Sequence, residues 1–260
     1  MPIISTLLIL ATVVLGVWSF VIAPEHGWWF PEDISTFGHE IDSLFNLLTG
    51  LVGVTFVLTT GVLTWEVWAF SAKRESKAQF THGSHTLEKI RTAIPALILL
   101  YIAVAQIGTW TEIKRVSQFP DTVYSEESPI AEVWASQFDW RVMYPDEEGN
   151  FRGMNTVESP FELVVPVKTP VVFNLRSRDV LHSFFVPNLR LKQDAVPGMT
   201  IPVWFQAERT GEFDLICAEL CGWGHYKMAG RLIVKTQEDY DAWLAAKRAD
   251  LKDNGSEDTL

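Results

Sequence analysis

The 260-residue chain is predicted to be a membrane-anchored all-β protein, a helical anchor followed by a β-sandwich. Three observations carry that prediction. Long stretches of the first half lack any charged side chain; near residue 130 the pattern switches to short β-rich runs broken by Pro and Gly; and 48% of residues are hydrophobic, with mean hydropathy +0.12, high for a wholly soluble protein.

Residues 3–24, 43–65 and 92–111 contain no charged side chain, and each run is about the ~20 residues that a helix needs to cross a bilayer. For the first run, a cleaved signal peptide is the competing account. No Lys or Arg precedes its apolar core and Pro24 follows the Ala23 that would end a cleavage site, so a retained extra helix is favoured. The other two runs read as a transmembrane hairpin, with Trp65, Trp68 and Trp110 at their ends as interfacial anchors. Residues 71–91 carry five Lys/Arg, whereas residues 24–42 carry five acids and no Lys or Arg. The former loop is therefore cytoplasmic and the long C-terminal part lies outside.

From about residue 130 seven runs follow: AEVWASQFDWRVMY, FELVVP, PVVFNLRS, VLHSFFVP, IPVWFQA, EFDLIC and GRLIVK. Their spacing predicts a sandwich or barrel. A terminal helix comes next, with Thr236 as N-cap, Asp239 at the third helical position, and Tyr240, Trp243, Leu244 and Leu251 on one face. The expected organisation is an N-terminal hydrophobic segment at 1–24, the hairpin at 36–118, the β domain at 125–236, the helix at 237–252 and a disordered tail at 253–260.

Charge narrows the partners. With 21 Lys+Arg against 32 Asp+Glu the net charge is -11, which argues against nucleic acid and for a basic partner. The two cysteines are too few for a disulfide framework and point to metal or redox chemistry. They lie in Cys217-Ala-Glu219-Leu-Cys221-Gly-Trp-Gly-His225-Tyr-Lys-Met228, with His182 upstream in D-V-L-H-S-F-F-V-P. Thiolate, imidazole and thioether form the soft donor set that copper prefers, and two sulfurs can bridge two ions. Spacing alone also permits a Cys₂His₂ zinc site from Cys217, Cys221, His225 and His182, or a disulfide between the cysteines. His82 and His85 in T-H-G-S-H-T read as a loop or helix start rather than a metal site; His26 and His39 offer less.

These residues resemble the dinuclear CuA-type copper domain of cytochrome c oxidase subunit II. The likeness takes in S-R-D-V-L-H-S-F-F-V-P-N-L-R-L-K-Q-D-A-V-P-G at residues 177–198 and the two preceding membrane helices, about residues 36–245 in all. It implies a cupredoxin-like Greek-key sandwich. It also implies two copper ions with His182, Cys217, Cys221, His225 and Met228 as side-chain ligands and Glu219 offering its backbone carbonyl. The Glu219 carboxylate would reach magnesium or manganese at the boundary with subunit I.

Glu88, seven residues before the Pro95 that would open the second family helix, would mark the cytoplasmic mouth of a proton channel; an interfacial Glu at a helix end is the competing reading. Arg91 stands where many relatives have Trp. Many relatives also carry Q-W-Y-W on an early strand, the first Trp facing the electron donor. This chain has Gln137-Phe138-Asp139-Trp140 instead, so Phe138, Trp140 or Trp134 becomes the candidate for electron input, with sandwich core as the alternative for all three. Residues 121–148 hold eight acids against Arg141 alone, a field suited to steering a basic donor.

The expectation is thus a multi-pass protein of a bacterial-type inner (cell) membrane with its copper domain on the periplasmic side. It would take electrons from a c-type cytochrome and pass them to haem in subunit I, within a complex containing other subunits. There oxygen is reduced to water and protons are pumped. The rivals are a membrane-tethered copper-delivery protein, a quinol oxidase subunit without copper, and the copper domain of nitrous oxide reductase.

Overall fold

The structure is a computed structural model that describes residues 2–70, 80, 82–116, 119–120, 129–153 and 155–257. Part of the basic 71–91 loop (71–79 and 81), residues 121–128 of the acidic stretch and residues 258–260 of the tail lie outside the described residues. The chain divides into two units, Met1–Phe30 with Glu40–Thr109, and Pro31–His39 with Trp110–Leu260.

Among the described residues, three helices are long and apolar enough to cross a membrane: α1 (Pro2–Glu25), α2 (Gly38–Ala69) and α3 (His85–Lys114). Their large apolar side chains point outward, as suits helices whose solvent is lipid. Polar atoms in α2 are satisfied within the helix, since Thr49, Thr55, Thr59 and Thr64 donate their hydroxyls to carbonyls one turn back. α2 and α3 overrun their charge-free cores because the flanking residues keep helical hydrogen bonding into the interface. At the start of α3 the Leu87 N–H reaches the Ser84 hydroxyl at 3.4 Å and Glu88 complements the helix dipole. Pro95 therefore does not open this helix, as the resemblance implied, but sits inside it. Within a spanning helix the carbonyl that a proline leaves unpaired is readily re-satisfied by its surroundings.

The β unit packs two five-stranded sheets. The strands are β1 (Ala131–Ser136), β2 (Asp139–Tyr144), β3 (Val157–Pro160), β4 (Glu162–Pro166), β5 (Val171–Ser177), β6 (His182–Val186), β7 (Leu191–Ala195), β8 (Ile201–Phe205), β9 (Gly211–Cys217) and β10 (Ala229–Lys235). Their order is β3-β2-β1-β5-β8 in one sheet and β4-β10-β9-β6-β7 in the other. Alternation of inward and outward residues, clearest in β5 where Val171, Phe173, Leu175 and Ser177 are buried, fills the space between the sheets. Trp140, Tyr144, Phe173, Phe184 and Phe205 are its largest fully buried side chains.

Ten strands arise where seven runs were read. The first run folds into the antiparallel pair β1 and β2, while β3 and β7 pair through main-chain hydrogen bonds that leave little mark on composition. Tyr144 ties the sheets together, donating to the Val164 carbonyl at 3.0 Å and accepting from the Val164 N–H at 2.6 Å; burial pushes its phenol well above the usual range. The segment before α2 also belongs to this unit. Ile34 and Phe37 are buried in it, Ile34 N–H donates to the Asn188 carbonyl, and Phe37 meets Trp204 edge-on.

A last helix, α4 (Gln237–Glu257), runs past Lys252, into the stretch expected to be tail. Thr236 and Asp239 cap its start, the Asp239 N–H donating to the Thr236 hydroxyl at 3.1 Å. Trp243 packs edge-on against Tyr144 at 5.0 Å.

Candidate metal centre

Two backbone features bring the site together. β9 and β10 form an antiparallel pair whose connection is the cysteine loop, closed by a hydrogen bond from Cys217 N–H to the Met228 carbonyl at 3.1 Å. β6 lies beside β9 with Phe184 opposite Cys217, which sets His182 two residues away at the strand's start. A further bond from Ala218 N–H to the Ser183 carbonyl, 3.0 Å, fixes that register.

The donor atoms form a chain of close contacts. His182 Nδ1 lies 3.9 Å from Cys217 Sγ, the two sulfurs are 3.8 Å apart, and Cys221 Sγ lies 3.6 Å from His225 Nδ1. Each sulfur also has one weak neighbour, the Glu219 carbonyl oxygen 3.2 Å from Cys217 and the Met228 thioether 3.7 Å from Cys221. Both cysteines are free and buried. The residues singled out from the sequence as copper donors thus converge at one end of the sandwich.

His182 is fully buried, and its Nε2 lies 2.8 Å from Asp179 Oδ1. That carboxylate, three residues upstream, holds the ring so that Nδ1 faces the sulfurs. Burial opposes charge on both partners, yet their hydrogen bonds prevail: those from His182 and the backbone of Gln137 and Val180 hold Asp179 below its ordinary value, and those with Cys217 and then Asp179 raise His182. Burial likewise opposes ionisation of Cys217, but the hydrogen bond with His182 and the backbone of Glu219 and Ser183 bring its thiol down to about 6. Cys221 is pushed up to about 11, by burial and then by the charge of Cys217. Two adjacent thiolates repel in a buried loop; cations between them remove that penalty.

A cation must then displace the proton of Cys221 at neutral pH, and that of Cys217 as well below about 6. Copper retention is expected to weaken at least ~10-fold per pH unit on acidification, and more steeply below about pH 6. Competition against a chelator across that range checks this; a flat profile would contradict it.

A second loop supports the first. Gln137, between β1 and β2, donates its side-chain amide to the Cys221 carbonyl at 2.5 Å, and its own N–H donates to Asp179 at 2.7 Å. Residues 127–236 match the family of the cytochrome c oxidase subunit II periplasmic domain, and residues 23–107 match the family's transmembrane domain. The cytochrome c oxidase subunit 2 of Cereibacter sphaeroides is 30% identical over 250 residues, which cover 84% of this chain and 80% of that protein. The chain belongs to the cytochrome c oxidase subunit II family. It is also similar to the alternative cytochrome c oxidase subunit 2 of Bradyrhizobium diazoefficiens, 28% identical over 246 residues, covering 85% of this chain and 84% of that one. A solved periplasmic domain of subunit II from Bradyrhizobium japonicum aligns with 48% of this chain and 97% of its own, at 26% identity and a TM-score of 0.42.

Membership of the subunit II family, with three apolar helices, makes the chain a membrane protein with an extracytoplasmic β domain. The subunit II match to the transmembrane domain begins at residue 23, so α1 lies almost wholly before it.

The other residues singled out from the sequence fall in different places. Trp140, a candidate for electron input, is 0% exposed and packs edge-on against Phe184 and His182, so no docking partner can touch it. It is core, because β2 turns that face of the strand inward. Trp134 is half-buried, its indole N–H bonded to Glu132 at 3.1 Å and its ring flanked by the guanidinium groups of Arg176 and Arg178. Phe138 is half-buried and meets Trp223. Glu219 is half-buried, and Glu88 is exposed in the first turn of α3 beside His85. Sequence reasoning passed over Asp179 as an orienting group and Gln137 as a brace. Only the three-residue spacing of D-V-L-H hinted at the first.

Proposed function

We propose that this chain is the electron-accepting subunit of a respiratory haem-copper oxidase in a bacterial-type inner membrane, holding a pair of copper ions between Cys217 and Cys221. One observation carries the pair. His182, Cys217 and Cys221 lie within 4.8 Å of one another and His225 lies 3.6 Å from Cys221, so the two sulfurs sit between two imidazoles, whereas a Cys₂His₂ zinc site places both imidazoles and both sulfurs on one ion. Each sulfur instead has its own imidazole and its own weak donor. The soft, buried donors fit copper.

When bound, such a pair supplies one-electron redox chemistry with the charge shared over two ions. The protein's part is to keep that change small. Asp179 fixes the His182 ring, Gln137 pins the cysteine loop by its carbonyl, and the sandwich end excludes water. In this reading electrons come one at a time from a c-type cytochrome and leave for haem in subunit I. The Glu219 carboxylate is the ligand for magnesium or manganese at the boundary with subunit I, and Glu88 marks the cytoplasmic mouth of a proton channel. A copper-delivery role is not favoured by membership of the subunit II family.

Purification of the tagged full-length chain from its native membrane tests this. Copurification with a haem-bearing subunit and two copper ions per chain is expected; a chain that travels alone or carries zinc would overturn it.

A further inference from the structure

We propose that Trp223, seated on Phe138, is the side chain on which a basic redox protein docks and through which its electron reaches the metal loop. The inference rests on the reading of the site as an electron acceptor.

Trp223 is 76% exposed, an indole held in water only two residues beyond the buried Cys221. A large aromatic kept at the surface between the buried Cys221 and Gly224 marks a contact site. Its ring meets Phe138 edge-on at 5.4 Å, and the Lys227 ammonium sits 4.7 Å over it. The loop is shaped to receive Phe138. A Cβ on Gly224 would fall 2.5 Å from the Phe138 ring, and Gly222 holds φ +133 with a Cβ position 2.8 Å from the Gln137 amide. Gln137, Phe138's neighbour, is also the donor to the Cys221 carbonyl. The aromatic pair and the metal loop are therefore one packed body, with Trp223 outermost.

Its surroundings select the partner. Asp139 follows Phe138, and Asp179, about a third exposed, accepts the Gln137 N–H. With the chain at net charge -11, the complement is a basic protein that presents the edge of its redox group through an apolar centre. A c-type cytochrome fits. One electron leaves its ferrous haem, which becomes ferric, and the copper site gains that electron; no proton moves. Encounters of this kind use small interfaces, so a single anchoring ring dominates binding.

The test uses the purified oxidase complex with Trp223→Ala, Trp223→Phe and, as an equally exposed control on the same loop, Tyr226→Ala. Three readouts are taken: Kd for a small basic c-type cytochrome with both proteins oxidised, the bimolecular rate of copper reduction by the reduced cytochrome, and the copper electron paramagnetic resonance spectrum. Trp223→Ala is expected to weaken binding and slow reduction about 10- to 30-fold with the spectrum unchanged. Trp223→Phe recovers most of both, and Tyr226→Ala changes neither. Unchanged Kd and rate in Trp223→Ala would overturn the proposal, as would an altered spectrum, which would make Trp223 a structural part of the loop. A mononuclear spectrum in the unaltered complex would instead sink the reading of the site on which the proposal rests.

Discussion

Replacing Cys221 with serine is expected to lower oxidase turnover more than ~100-fold, beyond the ~10–100-fold that loss of an orienting neighbour costs a metal site. Cys221 Sγ is the hub of the donor set, within 3.8 Å of Cys217, 3.6 Å of His225 and 3.7 Å of Met228. A serine hydroxyl keeps its proton at neutral pH and is hard where copper wants a soft donor. The fold survives the change, because the loop is held by main-chain groups, Cys217 N–H on the Met228 carbonyl and Gln137 on the carbonyl of residue 221. Turnover, metal content and thermal melting of the purified complex check this together. A variant that keeps both its copper and its turnover would exclude the bridging role.

Asp179→Asn should weaken copper retention ~10- to 100-fold while leaving the sandwich intact. The carboxylate accepts the Nε2 proton of His182 at 2.8 Å and so frees Nδ1 for the metal. An amide keeps the shape, but it loses the charge and can turn its NH2 toward the ring, favouring the wrong tautomer. Loss of the charge also lowers the His182 pKa and so eases proton competition, a change opposite in sign to the ~10- to 100-fold loss that removal of an orienting partner causes. Chelator competition at fixed pH measures the difference, and equal retention in the two proteins would show that Asp179 merely covers the site.

The chemistry of the site was legible in the sequence because its donors are local. Cys217, Cys221, His225 and Met228 share one loop, and the soft character of that set does not depend on the fold. The membrane helices were legible for a similar reason, since absence of charge over ~20 residues is a property of composition. What stayed hidden depends on contacts between distant segments. Gln137 reaches Cys221 across the sandwich end, and nothing in Q-F-D-W announces it. The same holds for Ile34 and Phe37, apolar residues in an acidic connection, whose burial is set by Asn188, Glu208 and Trp204. β7 reads as polar, L-K-Q-D-A, because it takes its place through backbone pairing with β6. Trp140 looked as accessible as Phe138 because a strand's two faces cannot be told apart until one partner sheet is known.

Electron paramagnetic resonance of the copper-loaded full-length complex bears most directly on the centre described here. One unpaired electron coupled equally to two copper nuclei is predicted, since each sulfur of Cys217 and Cys221 has its own imidazole and its own weak donor. Coupling to a single nucleus would contradict it.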